Sequence, residues 1–289
     1  MKAGFFLQYP VDISLLQDIS QKLGVALVGF YSKEKEGEGI GNSYHYQVAD
    51  ELLVQIQIAY IFLESSNSYE IAANALKRGV YVYLGDLPSY DYNSLLELND
   101  VSFEIGVPVG FGCSGNELVE DSEIVGNYFM IQFTRDAKST TTDLSFKRML
   151  IYDLASFVRI KPHGLKKLRV DSMPPFNNNP KAINLRLEYD SSSVIAYSIT
   201  RIDEREGLNL RFFTGSTGYF VNKDFRRSFF DANILDRPNT FFSNSDFIND
   251  MIKYTNNIIE KSALSFGLDK ALETLSLLGS IEKRIYPSN

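Results

Sequence analysis

Two histidines and one cysteine set narrow limits on the chemistry that this 289-residue chain can perform. His45, His163 and Cys113 make no cluster with the close ligand spacing of a zinc site, so no structural metal is expected. A lone cysteine also rules out a disulfide within the chain, and a cytoplasmic location is expected. Acidic residues outnumber basic ones, 36 to 29, giving a net charge of −7 without a long basic stripe. That balance argues against nucleic acid as the main partner. The short run Lys166-Lys167-Leu168-Arg169 reads as a solvated face. Asp12, just ahead of an amphipathic segment, reads as a helix cap.

Elements of two kinds must position these side chains. At 289 residues two domains are expected, because single cores rarely grow beyond about 250 residues. No apolar stretch approaches the roughly 20 residues that cross a bilayer, and the opening MKAGFFLQYP is too short an apolar run for a secretory segment. A buried first strand accounts for it, and no membrane association is expected. In the first third, strands over residues 2–7, 25–31, 58–63 and 80–84 alternate with helices over 13–23, 48–54 and 69–78. The last of these stops at Gly79, where a left-handed residue is favoured. Residues 32–43 read as a loop, 94–98 as a short helix and 102–110 as extended chain. Such alternation predicts a parallel sheet wound with crossover helices. Beyond residue 115 the strands alternate in polarity, over 127–133, 182–189, 194–201 and 208–214, which suits a mostly antiparallel sheet with one buried face. A helix over 144–158 packs on it, and helices over 246–261 and 268–285 close the chain. Residues 177–180 read as a surface turn. The expected division is 1–114 and 115–289.

The segment AYIFLESSNSYEIAANALKRGVYVYLGDL, from Ala59 to Leu87, resembles the third strand, third helix and fourth strand of the Gfo/Idh/MocA oxidoreductases. Its phrase ALKRGVYVY is similar to the family's ALxAGKHV. GVALVGFYSK, from Gly24 to Lys33, resembles the second strand, and FGLDKALETLSLLGSIEKR, from Phe266 to Arg284, the terminal helix. The resemblance implies an α/β fold: an N-terminal Rossmann domain with a doubly wound parallel sheet, then a C-terminal α/β domain. The open, mostly antiparallel sheet of that second domain often forms a homodimer interface.

The family's functional positions carry other residues here. Its phosphate loop, G-x-G-x-x-G or G-x-G-x-x-A, lets the backbone approach a pyrophosphate at a helix N-terminus. The corresponding positions are Leu7, Gln8, Tyr9, Pro10, Val11 and Asp12. Ser32 stands where NAD-preferring members place a ribose-binding carboxylate, and Lys33 beside it is the one group suited to an NADP 2′-phosphate. Gly85, Asp86 and Leu87 stand at the E-K-P motif, and a carboxylate ionised at neutral pH cannot replace its lysine as proton donor. In the motif D-x-G-x-H-x-x-D only the last residue, Asp153, is kept, with Phe146, Arg148 and Leu150 at the other positions. CSGNELVEDSEI also stands where the family has an arginine and a longer helix.

The expected cofactor cleft is therefore a degenerate one, lined by Gln8, Tyr9, Ser32, Lys33, Leu63, Glu64 and Asp86, and no cofactor is expected. The chain is expected to keep the oxidoreductase architecture, to have lost dehydrogenase activity, and to bind a small ligand or a protein partner. The alternative is an active oxidoreductase using NAD or NADP on a sugar-like or small alcohol substrate. Its acid would be relocated to Tyr152 or Lys161, with the kept Asp153 a further catalytic candidate, although a tyrosine with a pKa near 10 is a weak donor without a neighbouring lysine.

Overall fold

Continuous apolar runs mark strands that are covered on both faces, and the chain begins with one. The computed structural model describes residues 1–34, 44–63, 65–112, 128–160, 164–174, 180–203, 207–214, 218–223, 242, 245–264 and 266–286. Two compact units result, Met1–Asn116 with Asn233–Leu272, and Glu117–Ala232 with Glu273–Asn289. A single cut near residue 114 does not include this return of the chain to the first unit.

In the first unit, β1 (Lys2–Leu7), β2 (Ala26–Ser32), β3 (His45–Tyr46), β4 (Ile58–Phe62), β5 (Tyr81–Leu84) and β6 (Val109–Phe111) form one sheet in the order β3-β2-β1-β4-β5-β6. Every pairing is parallel. Helices α1 (Ile13–Leu23), α2 (Ala49–Leu53), α3 (Ser65–Lys77) and α4 (Tyr92–Ile105) make the connections. Phe5 stacks on Tyr60 at 5.1 Å, and Tyr83 leans on Tyr254 of α6 (Ser245–Glu260) at 5.4 Å. Inside the same unit, Tyr60 Oη and Thr255 Oγ1 share a buried hydrogen bond of 2.7 Å. α6 thus covers the aromatic face of the sheet, as the doubly wound plan requires.

One stretch differs from its sequence pattern. Val101, Phe103 and Ile105 alternate with polar residues, which predicts extended chain, yet they lie in the last turns of α4. Asp91 caps that helix by accepting the Ser94 amide at 3.0 Å, and Gly106 ends it at φ 74°. The pattern misleads because Phe103 points outward, 88% exposed. α3 likewise starts at Ser65, earlier than residue 69.

The second unit holds a six-stranded mixed sheet, ordered β12-β11-β7-β10-β9-β8. Its strands are β7 (Tyr128–Lys138), β8 (Leu165–Met173), β9 (Ala182–Tyr189), β10 (Val194–Asp203), β11 (Gly207–Thr214) and β12 (Gly218–Lys223). β10 and β7 run parallel at its centre, and the other pairs are antiparallel. Helix α5 (Asp143–Ile160) covers one face, with Phe157 edge-on to Phe133 at 5.1 Å and to Tyr197 at 5.2 Å. The chain's last helix is α7 (Leu268–Ile285). β3, β8 and β12 are not among the strands that the sequence patterns predict. β8 is an edge strand with mostly exposed residues, so it has no apolar stripe to betray it. Among the described residues, no helix is long and apolar enough to cross a membrane.

Gly85, just past β5, is required by space. A Cβ there would stand 2.1 Å from the Phe62 ring, which Phe242 holds edge-on at 5.0 Å. Gly85→Ala is expected to destabilise the chain by about 1–3 kcal/mol through overpacking. A lowered urea midpoint checks this, and an unchanged midpoint would show that the ring gives way at no cost.

Candidate functional site

Ligands of open α/β sheets bind beyond the carboxyl ends of the strands, where the strand order reverses. In the first unit that place is the end of β1, between β2 and β4. The sheet's hydrogen bonds continue past the strand ends and spend the backbone groups there. Gln8 N–H donates to Phe62 O at 3.0 Å, Lys33 N–H to Leu7 O at 3.0 Å, and Glu34 N–H to Gln8 O at 2.9 Å. Gly85 N–H donates to Ile61 O at 2.9 Å. Gln8, Lys33 and Gly85 are thereby aligned along one rim, followed by Leu63 and Asp86 in the same connections.

Side chains on this rim are mostly turned inward. Gln8 is 4% exposed and its Nε2 approaches Glu34 Oε1 at 3.4 Å. Ser32 is buried, with its hydroxyl 3.0 Å from His45 Nε2, and His45 stacks on Phe30 at 4.9 Å. Leu63 and Asp86 are buried, Tyr9 is half-buried and Lys33 is exposed. Glu64 lies outside the described residues.

Helix α1 starts at the same rim. Its N-cap is Asp12, whose Oδ1 accepts the Ser14 N–H at 2.9 Å, while Asp12 O accepts from Leu15 N–H at 3.1 Å. The Ser14 backbone N–H, and then its hydroxyl, hold the Asp12 carboxyl below the usual range. The cap expected from the sequence is formed, and it places an anion on the positive end of the helix.

Asp153, in α5, is the charged centre of the second unit. Arg135 donates to it through Nε at 2.6 Å and Nη2 at 2.5 Å, and the Tyr197 hydroxyl donates to Oδ2 at 2.8 Å. Asp153 is 1% exposed and Arg135 5%. Burial raises the Asp153 carboxyl, an effect opposed by the Arg135 charge and the two donors. The Tyr197 hydroxyl is held well above its ordinary value, by burial first and then by the Asp153 charge. Tyr152 is also buried, at 1%, and Lys161 and His163 lie outside the described residues, as does Cys113. Arg135 and Tyr197 are not among the site residues named from the sequence. Their signal was available: each falls at an inward position of a strand, where a charge or a hydroxyl needs a partner.

No family model matches the sequence, and no curated protein matches it in sequence. Solved structures match in fold. A probable dehydrogenase from Thermotoga maritima superposes with a TM-score of 0.78 at 11% identity, over 99% of this chain and 96% of its own. The UDP-N-acetylglucosamine 3-dehydrogenase of Acidithiobacillus ferrooxidans gives 0.75 at 12% identity, over 99% and 98%. The scyllo-inositol dehydrogenase of Lactobacillus casei, solved with NAD(H) and scyllo-inositol, gives 0.71 at 9% identity, over 99% and 96%. The chain has the fold of these dehydrogenases.

Within that fold, the residues present do not supply the anion cradle of a dinucleotide loop. The Gln8 amide is spent on Phe62 O, Pro10 has no N–H to offer, and the Asp12 carboxylate already occupies the Ser14 amide. The Ser32 hydroxyl is paired with His45. Among the described residues, no three His, Cys, Asp or Glu side chains gather to hold a metal ion.

The second-unit ion pair makes a direct test of whether Asp153 is structural. Removing one partner of a buried pair leaves an uncompensated charge and costs about 3–5 kcal/mol. Asp153→Asn is expected to lose stability in that range by chemical denaturation, with part of it regained when Arg135→Met is added. Unchanged stability in Asp153→Asn would show that the pair does not hold the fold.

Proposed function

We propose that this chain is a Gfo/Idh/MocA-type protein that has lost dehydrogenase activity and serves, in the cytoplasm, to bind a small ligand or a protein partner. The observation that carries this reading is the closure of Asp153. The one residue kept from the second-domain motif has both oxygens engaged by Arg135 and Tyr197 and is 1% exposed, so burial closes it to a substrate hydroxyl. The Asp12 cap supports the same conclusion from the cofactor side. A pyrophosphate would have to displace a carboxylate from the helix end, against like charge. The solved neighbours acting on a nucleotide sugar and an inositol suggest a polyhydroxylated compound as the ligand class.

Nicotinamide fluorescence distinguishes this reading from its alternative, an active NAD- or NADP-dependent oxidoreductase on a sugar-like or small alcohol substrate. Neither NADH nor NADPH is expected to bind with a dissociation constant below about 1 mM, where a micromolar value would correspond to about 8 kcal/mol. Saturable micromolar binding of either one would establish the alternative, and a panel of sugars and alcohols would then identify the substrate.

We also propose that the chain pairs with a second copy through the open face of the second sheet. Gln132, Thr134 and Ser198 are half-buried on that face, Asn184 and Arg186 exposed. Sedimentation velocity is expected to return a species of roughly twice the chain's 32.7 kDa. A monomer at concentrations up to about 100 μM, where a micromolar dimer would be fully formed, would remove this proposal.

A further inference from the structure

The run Lys166-Lys167-Leu168-Arg169 is exposed, as its charge suggests, but two of its lysines do more than face solvent. Lys166 and Lys167 line a notch of about 290 Å3 between β8 and α7, in the second unit. That volume is near the lower end of small-molecule sites, about 300–1,000 Å3. The register of β8 against β9 shifts between Leu165 and Lys167, and such a bulge takes Lys166 out of the regular ladder and re-aims its side chain. Across the notch, α7 presents Glu273, Ser276, Ser280 and Arg284, which recur on one helical face. Arg284 is anchored there by an Nη1 hydrogen bond to Leu168 O. Among the described residues, neither Lys166 nor Arg284 is in an ion pair. The floor is apolar, formed by Val158, Leu165 and Leu277.

Edge strands commonly carry lysines to discourage pairing with another sheet. Edge protection does not call for a third cation on a separate helix aimed into the same concavity, nor for hydroxyls beside it. Lys167 stands opposite Glu188, whose carboxyl its charge helps to lower, so the notch is left with Lys166 and Arg284 against one carboxylate, Glu273; that balance favours an anion, and guanidinium with ammonium suits a phosphate monoester. Tyr189 lines the other end of the notch. Burial and the Glu273 charge keep its hydroxyl protonated. A carboxylate, a phenol and two serine hydroxyls suit a ligand that carries hydroxyls of its own.

We propose that the notch between β8 and α7 binds a small phosphorylated polyhydroxy compound, with its phosphate held by Lys166 and Arg284. The site belongs to the second unit alone and does not rest on the function proposed above. Calorimetry on the full chain at low salt tests it, with glucose 6-phosphate as probe and glucose and inorganic phosphate as separate arms. Glucose 6-phosphate is expected to bind saturably, glucose not at all, and inorganic phosphate more weakly than the sugar phosphate. Arg284→Met and Lys166→Met are each expected to weaken binding by about tenfold or more, the loss of one charged hydrogen-bonding group. Lys22→Met, in α1, serves as the control and leaves affinity unchanged. Lys166→Met, which breaks no side-chain hydrogen bond among the described residues, covers the case in which Arg284→Met loosens β8. The proposal is overturned by absence of binding, by equal affinity for glucose, or by equal losses in the control.

Discussion

A guanidinium carried into an apolar sheet has to be met by a buried anion, and much of the second unit is arranged around that requirement. Arg135 enters from the inward side of β7, between Phe133 and Ala137. Its desolvation costs several kcal/mol unless both forks of the guanidinium are matched. Asp153 matches them, and α5 must therefore sit in the one register that brings Asp153 over β7 while Phe157, one turn on, reaches Phe133 and Tyr197. Tyr197 uses its hydroxyl on Asp153 Oδ2 and its ring on the aromatic cluster. Packing alone tolerates a sliding helix; a bidentate pair under an aromatic lid does not.

Scaffold and chemistry are separable here for a physical reason. The fold depends on many distributed contacts, such as the Phe5, Tyr60, Tyr83 and Tyr254 rings, each of which can be replaced by another apolar group. A dinucleotide loop depends on a few positions where any side chain, or a missing N–H, is fatal to close approach. At 9–12% identity to the three dehydrogenases compared, the first kind of requirement is still met. At the end of β1, Gln8 gives its amide to Phe62 O, Pro10 has no N–H, and Asp12 caps α1.

Regular elements were legible where burial gives a strong period. β1, α1, β9 and α7 fall within the bounds that the sequence predicts, because each has a continuous or periodic apolar pattern between clear stops. The α4 region was misread, since a two-residue alternation in 101–105 arises from an exposed Phe103. β8 was missed because an edge strand on an open face needs no apolar stripe. For the candidate site, Asp12 was legible as a cap from local sequence alone. The partners of Asp153 were not, because Arg135 and Tyr197 lie 18 and 44 residues away and only the sheet register brings them together.

The return of residues 233–272 to the first unit has a temporal side. Tyr60 and Thr255 are 195 residues apart in the chain. At about 5–20 residues per second, that interval takes roughly 10–40 s of synthesis. Throughout it, the aromatic face of the first sheet exists without the helix that covers it. A nascent chain in that condition exposes the ring surface of Phe5, Tyr60 and Tyr83 to every neighbour it meets. The order of translation therefore leaves the amino-terminal unit open until most of the second unit has been made, and a chaperone matters most in that interval.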